Sequence, residues 1–256
     1  MKFPIVLKDA PEQTPPGRLY YEVASNGVFQ VKDTPLYHAV TQVTRDVPGL
    51  QPSEERLWMK FPPLPAGIVE DVLAFFHEVN RRWAGEAIAL FFYQPETREY
   101  RVDVPPQRIP GYRDYTGKLR AYLRLDYGSV PRPEGFLPFG TVHSHAEFSA
   151  YSSGVDCDDE RFRGDGLHVV YGHFGRRALS RSAAFVVNGR RFPLDPERVL
   201  PDCEVPDRPA RREWMERVRF EETRWRDLGS WNADTADDPR LANAPLIGVA
   251  GGGDAA

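Results

Sequence analysis

His143, Ser144 and His145 are followed by Ser153 and then Asp156, a spacing of H-x-H-x7-S-x2-D. Two imidazoles and a carboxylate are three good ligands for a zinc ion. Zinc held by three protein groups keeps a fourth position for water, the arrangement of catalytic rather than structural sites. Residues two apart on a strand share a face, so His143 and His145 can meet one ion while Ser144 points away. Ser153 and Asp156 fit the S-x-x-D pattern of a helix start. That start would hold the carboxylate in the first helical turn, swung back towards the histidines. Asp156 as a plain helix cap, and Ser153 as an N-cap alone, are the blander readings.

A zinc-bound water has its pKa lowered to roughly 7. Cleaving an amide still needs a base that takes the proton and delivers it to the leaving amine. Glu86 is the candidate, because a carboxylate at the entry to an all-apolar strand is costly unless it has a polar task. Glu70, Glu78, Glu96 and Glu99 read as solvated helix-face or turn residues. Ser153 is placed to donate a hydrogen bond to the oxyanion. His38, His77, His168 and His173 read as packing or surface residues, and Cys157 as incidental between Asp156 and Asp158. The acidic run Asp158, Asp159 and Glu160 reads as a solvated first helical turn. His145-Ala146-Glu147 also matches the H-x-E of zinc deaminases, but no P-C-x-x-C follows.

The elements that would position these groups are readable around them. Ile68, Val72, Phe75, Phe76, Val79 and Trp83 recur at helical spacing over 65–84, with Glu70, Asp71, Glu78, Arg81 and Arg82 on the other side and Gly85 as the stop. A strand apolar on both faces follows over 87–93. Alternation predicts strands at 100–104, 119–127 and 137–145, the last carrying both histidines. Further strands are expected at 167–174 and 181–187, the latter turning at Asn188-Gly189 into 190–194. A C-terminal helix is expected from Asp207 as N-cap, with Pro209 in its first turn, presenting Trp214, Val218 and Trp225. Before all this, Asn26-Gly27 between two apolar runs signals a hairpin, and 56–61 reads as another strand. The divisions are therefore 1–64, a small β-rich unit; 65–195, the domain carrying the motif; 196–231, a helical extension; and 232–256, a tail without apolar pattern. The fold class expected is α/β (α+β), a mixed sheet flanked by helices.

Composition narrows the function classes. The chain has 256 residues and a net charge of −4, with basic residues dispersed among acidic ones, so a nucleic-acid partner is not expected. Apolar residues make up 41%, enough for a sizeable core. Two cysteines exclude a disulfide framework. No run reaches the ~18 apolar residues of a membrane span, and a signal peptide is lacking. A cytoplasmic protein without membrane contact is expected.

Glu86, His143-Ser144-His145, Ser153 and Asp156 together resemble the E…H-[ST]-H…S-x-x-D signature of the JAMM (JAB1/MPN/Mov34) metalloproteases. The resemblance covers about residues 65–190. It implies an MPN/JAB-like sheet, one Zn2+ per chain on His143, His145 and Asp156, Glu86 as general acid/base and Ser153 at the oxyanion. It also implies cleavage of a peptide or isopeptide bond after the tail of a ubiquitin-like protein, with an activating-enzyme relative as a further partner. A non-catalytic MPN-type scaffold is the alternative. The stretch from Tyr21 to Phe29 is similar to JAB-type members of the PRTRC gene system. Ala146 departs from the proline of many members, and residues 105–136 read as an insertion shaping the substrate groove.

Overall fold

The computed structural model describes residues 4–8, 17–46, 51–122, 125–151, 165–176, 178–223 and 246–247. Ser153, Asp156, Cys157, the acidic run 158–160, Trp225 and most of the tail lie outside them.

The N-terminal strands are β1 (Ile5–Leu7), β2 (Leu19–Ala24), β3 (Gly27–Asp33), β4 (Tyr37–Gln42) and β5 (Arg56–Met59). They form one five-stranded sheet in sequence order. The hairpin expected at Asn26-Gly27 turns one residue earlier. Ala24 pairs Gly27, so Ser25 and Asn26 make the turn and Gly27 opens β3. Gly27 is required there, because a Cβ would lie 1.9 Å from the Thr44 carbonyl oxygen.

Helix α1 (Ala66–Trp83) follows the apolar period read from the sequence. It buries Val72, Phe75, Phe76 and Val79, each worth about 1.5–3 kcal/mol against exposure. It stops at Ala84, whose φ of 50° is left-handed and whose N–H closes on the Asn80 carbonyl. Gly85, expected as the stop, instead allows close approach, with Ala121 and Ile109 about its Cα. Asp71 was expected on the solvated side, yet it is buried and bridges to Arg208 and Arg211.

The chain continues through β6 (Ile88–Gln94), β7 (Glu99–Asp103), β8 (Gln107–Arg113), β9 (Leu119–Ala121), β10 (Leu125–Tyr127) and β11 (Leu137–Ser144). Then come β12 (Gly166–Gly172), β13 (Ser180–Val187), β14 (Arg190–Leu194), a short 3-10 turn at Pro196–Arg198, α2 (Arg212–Met215), β15 (Val218–Glu222) and β16 (Leu246–Ile247). The central sheet has the order β14-β13-β12-β11-β6-β7. Only β11 and β12 run parallel in it. The fold is thus α+β with mixed sheets, richer in strands and poorer in helices than expected.

A third sheet, β15-β8-β10-β16 with β9 on β8, corrects one expectation. The single strand over 119–127 is two short strands, Leu119–Ala121 and Leu125–Tyr127. The expected helical extension over 196–231 is also overturned. Asp207 caps nothing, α2 spans only four residues, and Val218 belongs to a strand running parallel to β8. As a strand this segment buries Val218 and part of Phe220 on one side while Arg219 stays exposed on the other, and its backbone pairs with β8. Trp214 packs edge-on to Phe75 at 5.8 Å, as core.

The N-terminal sheet docks on the central one. Phe61 stacks near Phe139 and Phe185, at 4.7 and 5.8 Å between centroids. Asp165 ties the two sheets, accepting from Lys32 Nζ and Tyr37 Oη, each at 2.5 Å. No helix among the described residues is long and apolar enough to cross a membrane.

One irregularity decides which way β11 faces. Its register with β6 shifts between Pro138 and Gly140. Gly140 lies so close to β12 that a Cβ would sit 1.8 Å from the Leu167 carbonyl oxygen. Beyond this bulge the ladder is regular, with Thr141 opposite Leu90 and His143 opposite Ile88.

Candidate metal centre

Alternation along β11 puts Thr141 and His143 on one face and Val142 and Ser144 on the other. His145 stands one residue past the strand, yet its N–H still donates to the Tyr171 carbonyl of β12 at 2.8 Å. Both imidazoles are therefore held on one side of the sheet, 7% and 6% exposed. Their Nε2 atoms are 3.1 Å apart. Two nitrogens, each ~2.0–2.1 Å from one tetrahedral zinc, stand about 3.3 Å apart. The spacing fits two ligands of one ion.

His145 is oriented from behind by the backbone. Ala146 adopts φ 47°, left-handed for a non-glycine residue, and the turn closes with Phe148 N–H on the His145 carbonyl at 2.8 Å. The turn returns the Ser149 carbonyl to 3.2 Å from His145 Nδ1. A carbonyl only accepts, so Nδ1 carries the proton and Nε2 presents a lone pair. Support of this kind is what metal-binding histidines use to fix their tautomer. A proline at 146 would lock φ near −65° and forbid this turn. Tyr151 adds its ring to His145, edge-on at 5.0 Å.

Ser144 fastens the neighbouring strand. Its N–H donates to the Ala87 carbonyl at 2.9 Å, and its Oγ accepts from Ala87 N–H at 3.0 Å. It is fully buried on the face away from the histidines. On the outer edge of β6, where β7 has already ended, the side-chain amide of Gln107 takes over the ladder. It accepts from Ile88 N–H and donates to the Ile88 carbonyl, both at 3.0 Å. Glu86, half-buried, immediately precedes Ala87 at the start of this strand.

The expected set is brought together in part. His143 and His145 meet, with Nε2 atoms 3.1 Å apart, and Glu86 precedes the strand that pairs with theirs. Ser153 and Asp156 lie outside the described residues, so the third ligand and the oxyanion donor carry no geometry. Among the described residues, no three His, Cys, Asp or Glu side chains are grouped to hold a metal. His168, expected to pack, is buried, with Nδ1 3.0 Å from Thr141 Oγ1. His173 falls past the end of β12 in a left-handed conformation, its N–H on the Phe148 carbonyl. Sequence reasoning missed the Ser149 carbonyl, the Tyr151 ring and Gln107. Only Tyr151 left a trace, as an aromatic among serines beside the motif.

No family model matches the chain. No curated protein matches it either. Among solved structures, the chain is similar to the solution structure of a Desulfitobacterium hafniense protein. Identity is 14%, the TM-score is 0.31, and the match covers 65% of this chain and 97% of that one. A likeness at that TM-score assigns no fold.

Proposed function

We propose that this protein is a zinc-dependent metallo-(iso)peptidase of the JAMM type, acting on the tail of a ubiquitin-like protein or a related peptide. The observation that carries the reading is the buried pair of imidazoles with Nε2 atoms 3.1 Å apart. Two such nitrogens, with His145 Nδ1 already committed to Ser149, leave lone pairs aimed at a common point. His143, His145 and Asp156 would hold the ion. When bound, zinc supplies a Lewis acid and a water that ionises near neutral pH.

The chain's own groups do the rest. Glu86 takes a proton from the attacking water and delivers it to the leaving amine. Ser144 and Gln107 keep the Glu86 strand at fixed height against the histidine strand. Ser153 donates to the oxygen of the attacked carbonyl. The ubiquitin-like tail is taken as substrate from the motif resemblance, with an activating-enzyme relative as a further partner. We place the activity in the cytoplasm, where Cys203 stays a thiol.

A second reading is favoured by the same distance. His143 Nε2–H donating into the His145 lone pair would satisfy both rings without any ion, as in a scaffold module. Elemental mass spectrometry of the purified protein separates the two. About one zinc per chain, with cleavage of a ubiquitin-like fusion that Glu86→Gln removes while zinc is retained, supports the peptidase. A folded protein without zinc, inert towards the fusion when zinc is supplied, overturns it.

A further inference from the structure

Away from the histidines, β5 ends the N-terminal sheet and β14 ends the central one. Between them lies a cleft of about 480 Å³. Its floor is apolar, with Leu57, Met59 and Phe61 from one side and Phe192 and Leu194 from the other, all partly exposed. The pairing of β5 with β4 fixes what its free edge offers. Lys60 N–H bonds the Leu36 carbonyl, so Arg56 and Trp58 take the hydrogen-bonded positions opposite Val40 and His38. Leu57 and Met59 therefore turn their N–H and C=O groups outward. The β14 edge is different. Pro193, opposite Ala184 and four residues past the Asn188-Gly189 turn, puts a nitrogen without hydrogen on the outer side. Only β5 offers a strand edge open to full pairing.

The charge of the cleft selects the guest. Arg56 lies over the Trp58 ring at 5.2 Å, and Trp58 is half exposed. The Arg56 Nε is buried without a hydrogen-bond partner among the described residues. Neither Arg56 nor Arg198 has a carboxylate partner among them. Glu55, the acidic residue of the cleft, already engages Arg190 at 3.1 Å.

We propose that the β5 edge binds an extended segment of a partner protein in which apolar and acidic residues alternate. The segment adds as a strand, its main chain bonding Leu57 and Met59. Its apolar residues lie on the Leu57, Met59 and Phe192 floor, and its carboxylates reach Arg56, on the other face of β5, and Arg198, which also lines the cleft. Both the period of two and the negative charge follow from the side chains of β5 alternating between these two faces. The proposal stands independently of any metal at the histidines.

The test uses the full chain and three labelled hexapeptides, capped at both ends. One alternates valine and glutamate, the second has three valines followed by three glutamates, and the third alternates valine and lysine. Fluorescence anisotropy is expected to find binding of the first, weakening by about tenfold for the block isomer, and none for the lysine peptide. Arg56→Glu and Arg198→Glu, both on exposed or half-exposed side chains, should each weaken the first peptide by about tenfold. Leu57→Pro removes an outward N–H and should abolish binding, with circular dichroism checking its fold; if it unfolds, Arg56→Glu decides. No binding of the first peptide, equal binding of the block isomer, or an affinity unmoved by Arg56→Glu overturns the proposal. A dimer in sedimentation velocity that Arg56→Glu or Leu57→Pro dissolves would give the edge to a second copy and also overturn it.

Discussion

The paired strands β11 and β12 carry a polar cluster at each end, roughly 20 Å apart at strand rise; the histidines are buried, while Asp165 is half-buried. At the start of β12, Asp165 is saturated. One oxygen accepts from Lys32 and Tyr37, the other from Asn188 N–H at 2.9 Å. Asn188 then reaches on to Thr41 at 2.6 Å. Burial pushes the Asp165 pKa up, but Lys32, Tyr37 and the Asn188 amide outweigh it, and the carboxyl ends below its ordinary value. The Tyr37 hydroxyl is correspondingly driven far up, by burial first and by Asp165 second. At the other end, His143 and His145 turn the same atom towards each other. Nδ1 of His145 is backed by the Ser149 carbonyl, while the two Nε2 atoms face each other at 3.1 Å. A cluster that closes on itself joins two sheets. The pair at the other end is the one to which the proposed function assigns an ion.

Breaking each end should therefore give different signatures. The largest effect is expected from His143→Ala or His145→Ala, which should take bound zinc from about one per chain to none by elemental analysis and abolish fusion cleavage. Neither should shift the thermal midpoint of the metal-free protein as much as an Asp165 change does. Next, Glu86→Gln should cost about 10²–10⁴-fold in cleavage rate at unchanged zinc content, the usual share of a positioned acid/base. Retained zinc with an undiminished rate would remove Glu86 from the chemistry.

Asp165→Asn should show the opposite pattern. Chemical denaturation should find a loss of about 1.5–3 kcal/mol, the worth of charged hydrogen bonds, with zinc stoichiometry intact. Its pH dependence sharpens the contrast. A carboxyl depressed in the folded state stabilises fully above its unfolded pKa near 4, and that contribution is lost as pH falls through the native value. The native chain should thus lose stability on acidification, and Asp165→Asn should lose less over the same interval. A parallel fall in both would show that the cluster is not the acid-sensitive joint. The smallest effect is expected from Ser144→Ala, which strands the Ala87 N–H for about 1–3 kcal/mol. Because Ser144 lies behind the histidines, its substitution should leave zinc content alone.

Much of the histidine end was legible because its logic is local. A spacing of two on an apolar strand puts two imidazoles on one side whatever the rest of the chain does. The support behind His145 was not legible. A carbonyl belongs to every residue, and only the left-handed turn at Ala146 selects that of Ser149. The third sheet was hidden for another reason. Its middle strand β8 contains Pro110 and Gly111, poor strand signals, and its partner β15 lies about a hundred residues later. Trp214 and Val218 stand four apart, which suits a helix as well as a short turn followed by a strand. The alternation of Val218 with Phe220 was the signal that should have prevailed. Asp71 misled because its counterions, Arg208 and Arg211, are distant in sequence and near in space.

Gly140 lies five residues upstream of His145 and makes no contact with either ring that the spacing requires. It nevertheless acts as the key in the lock of strand phase. A methyl there would collide with the Leu167 carbonyl, and the two neighbours would have to part or slide. Sliding by a single position sends every side chain of the strand to the reverse side. The imidazoles would then point to the face that Val142 and Ser144 now occupy, without either histidine having been altered.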